Sequence, residues 1–203
     1  MAIISNAVTI ADAGAFSVGL GSMVLIKTLT LSNAATASFV DGASSVVLDD
    51  TYPVYRFVFT NIHPITDAAA LRVGFRDGGT AYDATKTTTA FSSQADEADS
   101  STEVTYQAGN DLAQSTAFQD LCRNTGNGND ECVSGELILF SPSSTTFVKN
   151  FIARSNTYFA NNQTEVLQVA GYCNVTAAID GVQFKMDSGN IDSGTIKLYG
   201  ISS

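Results

Sequence analysis

The stretch from Ile179 to Ile201 alternates too strictly to be anything but extended chain. Val182, Phe184 and Met186 fall on one side of the backbone, with Gln183 and Lys185 on the other. Further on, Ile196 and Leu198 share a side with Gly194 and Gly200, while Thr195, Lys197 and Tyr199 take the opposite one. Side chains repeat every two residues along a strand and every 3.6 along a helix, so these are two half-buried strands. The bridge between them holds Ser188-Gly189, Asn190 and Ser193-Gly194, all turn formers. The pair is expected either as a hairpin or as two strands joined across the edge of a sandwich.

The same alternation recurs along the chain. Val24 to Leu31 reads as a strand, with Leu25, Leu29 and Leu31 on one face and Lys27 in register with them. Short strands are expected at Ser38 to Val40, ending at the turn Asp41-Gly42, and at Val46 to Leu48. After Pro53, Tyr55, Phe57 and Phe59 oppose Arg56 and Val58, and Asn61 to Asp67 reads as a turn containing His63-Pro64. Leu71, Val73 and Phe75 alternate with Arg72, Gly74 and Arg76 until Asp77-Gly78-Gly79 stops the run. Thr80 to Ala113 is polar and reads as a solvated loop anchored at Tyr82, Phe91 and Tyr106. One helical turn is expected at Ala117 to Cys122, then strands at 135–140, 146–152, 156–159 and 166–169.

About ten short strands with no long 3.6-residue period predict an all-β protein, an antiparallel β-sandwich of jelly-roll-like form. Residues 24–203 read as a single sandwich domain, and 1–23 as an N-terminal strand or docking arm, in which Ala7-Val8-Thr9-Ile10 can add to a sheet edge. The predicted core is Phe57, Phe59, Leu71, Val73, Phe75, Leu137, Leu139, Val182, Phe184, Ile196 and Leu198. At 203 residues the chain can bury a core without a disulfide or metal staple.

Charge narrows the function classes. A net charge of −10 opposes a phosphate backbone, so nucleic acid is not an expected partner. The apolar N-terminal stretch is interrupted by Ser5, Asn6, Asp12 and Gly14 and meets its first cation only at Lys27. Neither a leader peptide nor a membrane span is therefore expected. Charged residues make up only 15%, against a usual quarter, which suits a surface that packs on other protein.

Residues for chemistry are sparse. A Ser-His-Asp triad would need His63, the one imidazole, and no Gly-x-Ser-x-Gly elbow accompanies it. The acidic clusters Asp96, Glu97, Asp99, Glu103 and Asp49-Asp50 could attract calcium, but no Asp-x-Asp-x-Asp-Gly loop is present. Cys122 and Cys132 flank an Asn/Gly-rich loop and are expected as free thiols, with a disulfide across the loop as the alternative; Cys173 reads as a buried hydrophobe. No catalytic, cofactor-binding or metal-binding residue is assigned, and the chain is not expected to be an enzyme. Tyr52, Tyr82, Tyr106 and Tyr158 are the aromatic candidates for a glycan site. Glycans are not expected on the sequons Asn162-Gln163-Thr164 and Asn174-Val175-Thr176.

Three stretches carry a family resemblance: Asp180 to Ile201, Tyr52 to Pro64, and Ser134 to Leu137 with Ser143 to Lys149. Together they resemble β-sandwich proteins of tailed-bacteriophage virions. The resemblance implies a structural protein located in the virion and assembled in the bacterial cytoplasm. The resemblance does not distinguish head from tail; the lack of long fibre repeats and coiled-coil heptads in the sequence favours a head decoration (cement) protein that stabilises the capsid, and leaves a tail or fibre component with a host-glycan-binding role as the alternative. The partners implied are the major capsid protein or tail proteins, and a homo-oligomer, with a trimer expected by analogy.

Overall fold

The computed structural model describes residues 22–202 with their side chains, and the backbone of 3–5, 8–12 and 15–16. Strands β1 (Ile3–Ser5), β2 (Val8–Asp12) and β3 (Ala15–Phe16) form a small antiparallel sheet. Whether Ile4, Val8 and Ile10 dock in apolar pockets lies outside the described residues.

Twelve further strands make two antiparallel sheets, with no helix among the described residues. They are β4 (Met23–Ala34), β5 (Ala37–Val40), β6 (Val54–Pro64), β7 (Leu71–Arg76), β8 (Lys86–Asp96), β9 (Thr102–Tyr106), β10 (Gln119–Asp120), β11 (Val133–Phe140), β12 (Lys149–Phe159), β13 (Gln163–Cys173), β14 (Gly181–Met186) and β15 (Ile191–Ile201). The larger sheet has eight strands in the order β4-β15-β6-β11-β12-β13-β8-β9, and the smaller has four in the order β10-β7-β14-β5. All eleven predicted core residues are fully buried. Aromatic rings join the sheets: Phe184 of β14 lies 5.7 Å from Phe57 and 6.4 Å from Phe59, and Phe75 of β7 lies 4.9 Å from Phe151.

The closing strands do not form a hairpin. β14 lies between β7 and β5 in the small sheet, and β15 between β4 and β6 in the large one. Residues 187–190 therefore carry the chain across the sandwich edge. Gly189 has φ +68°, and a Cβ there would run into Thr66 Oγ1, so the crossing depends on glycine.

Several local expectations are corrected. The polar run Thr80 to Ala113 is not a loop throughout, because it contains β8 and β9. The inward side chains of β8 are Lys86, Thr88, Ala90 and Ser92, so its alternation is written in small polar groups and a lysine stem. Leu25 does not share the face of Leu29 and Leu31 but is 51% exposed. The register slips between Leu198 and Tyr199, which pair with Lys27 and Leu25, leaving Ile26 as the extra residue of a bulge. His63-Pro64 lies in the strand and not in a turn, because β6 continues past the left-handed Asn61 (φ 50°) to Pro64. Ala117 to Cys122 is extended around β10, not helical. Val46 to Leu48 forms no strand, although Val46 and Leu48 are buried. The strands expected at 146–152 and 156–159 are one, β12.

No disulfide forms: Cys122, Cys132 and Cys173 are all free. Cys122 is buried and its Sγ accepts the Leu71 backbone N–H at 3.0 Å.

Candidate functional site

Four strands cannot cover eight. The inner face of the large sheet is apolar beneath the small sheet and turns polar towards β13 and β8. There Lys149, Cys173 and Lys86 face one another across three neighbouring strands, all fully buried. Lys86 Nζ donates to the Ala84 carbonyl at 2.7 Å, and Lys149 Nζ to the carbonyls of Val175 at 3.0 Å and Phe147 at 3.2 Å. Burial pushes both lysine pKa values down and the Cys173 thiol up to about 12, despite the lysines' opposing pull. At the opposite end of the same face, eight residues along β13 from Cys173, buried Glu165 receives the Arg123 guanidinium through Nε (3.0 Å) and Nη2. These groups are packed inside and hold the sheet ends. Thr157 Oγ1 is buried there without a hydrogen-bond partner.

The outer face of the large sheet has no second layer among the described residues. Register assembles it row by row. One row runs Tyr106, Phe91, Gln168, Arg154, Glu136, Val58, Lys197, Thr28, from β9 to β4. The next runs Thr89, Ala170, Ile152, Ile138, Arg56, Tyr199, Leu25. Phe91, Tyr106, Val104, Ile152 and Leu25 are between 46% and 79% exposed on this face. Its charged side chains are Arg56, Glu136, Arg154 and Lys197, with Glu97 and Asp111 at the rim through bonds from Tyr158 and Tyr106. Arg56 Nε and Glu136 Oε2 pair at 2.6 Å. Arg154 and Lys197 have no carboxylate partner among the described residues.

The tyrosines proposed for a glycan site are not brought together. Tyr52 is half-buried against Gly200 and meets Tyr55 edge-on at 5.8 Å. Tyr82 packs near Gly181 at the end of the small sheet. Tyr158 donates to Glu97 at 2.9 Å at one end of the large sheet. Tyr106 stands on the open face, opposite Phe91 across β8 and β9, and Tyr158 stands on the same face but at the far end of β12, away from it.

The acidic candidates serve loops. Asp96 accepts bonds from Ser100 N (2.8 Å), Ser100 Oγ (2.5 Å) and Ser101 N (3.2 Å), and the Ser100 bonds lower its pKa. Asp49 accepts from Thr51 N at 2.8 Å, and that residue lowers its pKa likewise. Glu103 accepts from Gln94 at 2.8 Å, and Asp99 and Asp50 stay exposed. Among the described residues no group of three His, Cys, Asp or Glu side chains is placed to hold a metal ion.

His63 lines a polar depression of about 410 Å³ with Asn61, Asp130, Cys132 and Asp192. Its Nδ1 lies 3.2 Å from Asp192 Oδ2 and its Nε2 3.0 Å from the Gly128 carbonyl. One nitrogen thus faces a carboxylate at the start of β15 and the other a loop carbonyl. Cys132 sits 3.9 Å from Asn61 Oδ1, and burial raises its pKa, which opposes thiolate chemistry.

Comparison of the chain with family models, curated proteins and solved structures gives no match.

Proposed function

We propose that the chain is a structural protein of a tailed-phage virion, a head decoration protein that stabilises the capsid by packing against neighbouring protein. The observation that carries this reading is the open face of the eight-stranded sheet. It mixes exposed Ile152 at its middle and Leu25 and Val104 at its two edges with a few charges, a mixed apolar and polar surface of the kind found at protein interfaces. Large exposed apolar patches are uncommon on monomers and mark interaction sites. The segments that resemble virion proteins support the reading further. They supply β14, β15, β6 and the start of β11, the centre of both sheets. Its partners are then the major capsid protein and further copies of itself, a trimer being the symmetric form expected by analogy. Electron microscopy of virions labelled at this protein tests the location. Label over the head is the expected result, and absence of label from intact particles overturns the reading.

The second reading, a tail or fibre component that binds a host glycan, rests on Phe91 and Tyr106 side by side at the open edge of the same face. A glycan screen separates the two readings, since binding lost on Tyr106→Ala favours the second.

A further inference from the structure

We infer that the open face of the large sheet takes an acidic end of a second copy of this chain, in a head-to-tail contact. Charge carries the argument. The chain has a net charge of −10, yet the interior of this face holds Arg56, Arg154 and Lys197 against Glu136 alone. The interior of the face is thus cationic and partly apolar on a strongly anionic protein, with Glu97 and Asp111 confined to the rim.

The matching surface lies at the end of the large sheet where β6, β8 and β12 finish and β11 and β13 begin. There the loops present Asp67, Asp96, Glu97, Asp99, Asp130 and Glu131. The guanidiniums nearest that end are already engaged, Arg72 by Asp120 and Arg123 by Glu165. The carboxylates therefore remain uncompensated among the described residues. A copy meeting this end through its own acidic end would be repelled, and two open faces meeting would oppose Arg154 and Lys197 to their like. Complementarity favours face against end.

Size agrees. Seven strand spacings of ~4.8 Å make the face about 34 Å wide, and the three ~6.8 Å spacings between four side-chain rows make it about 20 Å long, of the same order as the ~800 Å² per partner of a standard stable interface. Face-to-end contact uses two different patches, so it is heterologous and cannot close with two copies. Three copies form the smallest closed ring. This inference rests on the homo-oligomeric part of the reading above. It is measured on purified protein, so its failure leaves the virion location standing, and the reverse holds too.

The test is sedimentation velocity of the full chain from 1 to 100 µM, at 20 and 500 mM sodium chloride. Association at low salt that weakens by at least tenfold at high salt is expected. The double variant Arg154→Glu with Lys197→Glu should be monomeric, and so should Glu97→Lys with Asp130→Lys. Mixing the two should restore association, because the reversed face then meets a reversed end. Circular dichroism of each variant checks that the β-fold is retained. A wild-type chain that stays monomeric at 100 µM in low salt overturns the inference. So does association that neither pair of substitutions weakens, or variants that fail to complement on mixing.

Discussion

Truncating Phe184 removes the ring that ties the two sheets together. It is fully buried on β14, with Phe39 of the small sheet at 6.3 Å and Phe57 and Phe59 of the large sheet at 5.7 and 6.4 Å. Loss of a buried Phe side chain costs about 3–5 kcal/mol from transfer and cavity together. Edge-on and tilted aromatic pairs add about 0.5–1.5 kcal/mol each beyond area, and Phe184 makes three. The cavity cannot collapse readily, because its walls belong to two hydrogen-bonded sheets. The expected loss for Phe184→Ala is therefore at the upper end, about 4–5 kcal/mol. Urea unfolding followed by far-ultraviolet circular dichroism and tyrosine fluorescence measures it, with coincident transitions licensing a two-state fit. A loss under about 1 kcal/mol would mean that Phe184 is not between the sheets, and the register of β14 against β5 and β7 would fall with it.

Arg123→Ala should cost about 3–5 kcal/mol in the same unfolding assay, since it leaves Glu165 buried without its partner; a neutral result would place Glu165 in water. Gly171→Ala should destabilise by about 1–3 kcal/mol, because a Cβ would sit 2.5 Å from the Thr87 carbonyl of the neighbouring strand; unchanged stability would refute the close approach of β13 and β8. The pKa of Lys86 is depressed below 10.5 by burial, so the unfolded chain binds the extra proton between the folded pKa and 10.5. Stability should therefore rise with pH through that window, and Lys86→Met should flatten the rise; an identical slope in the variant would contradict it. In native protein at pH 8 a thiol reagent should modify Cys132 first, since burial lifts Cys122 to about 11 and Cys173 to about 12; urea should release all three.

The core was legible wherever one face is apolar and the other polar. Phe57 and Phe59, the Leu71-Val73-Phe75 run and the Ile196-Leu198 pair show that pattern directly, and all are buried. β8 was not legible because its inner positions include Lys86, Thr88 and Ser92, which read as surface until neighbouring strands bury them. The bulge at Ile26 turned Leu25 outward, and one extra residue leaves no mark in composition. The separation of β14 from β15 is set by which strands each one pairs with, and a hairpin would have shown the same alternation. The open face was hidden for a similar reason. Leu25, Lys197 and the Ile152-Arg154 stretch lie far apart in the chain and share one face only through register across eight strands. The low charge content pointed to a surface that packs on other protein without placing it, and the strand expected at 135–140 gave no sign that Ile138 and Phe140 would line an open face.

The copy number of this chain in purified phage particles tests the proposed role most directly. Quantitative mass spectrometry against the major capsid protein supplies it. A decoration protein should be present in numbers comparable with the major capsid protein, because the shell repeats its docking site across the whole surface. A handful of copies per particle would move the chain to the tail. Its absence from intact particles would contradict the structural role altogether.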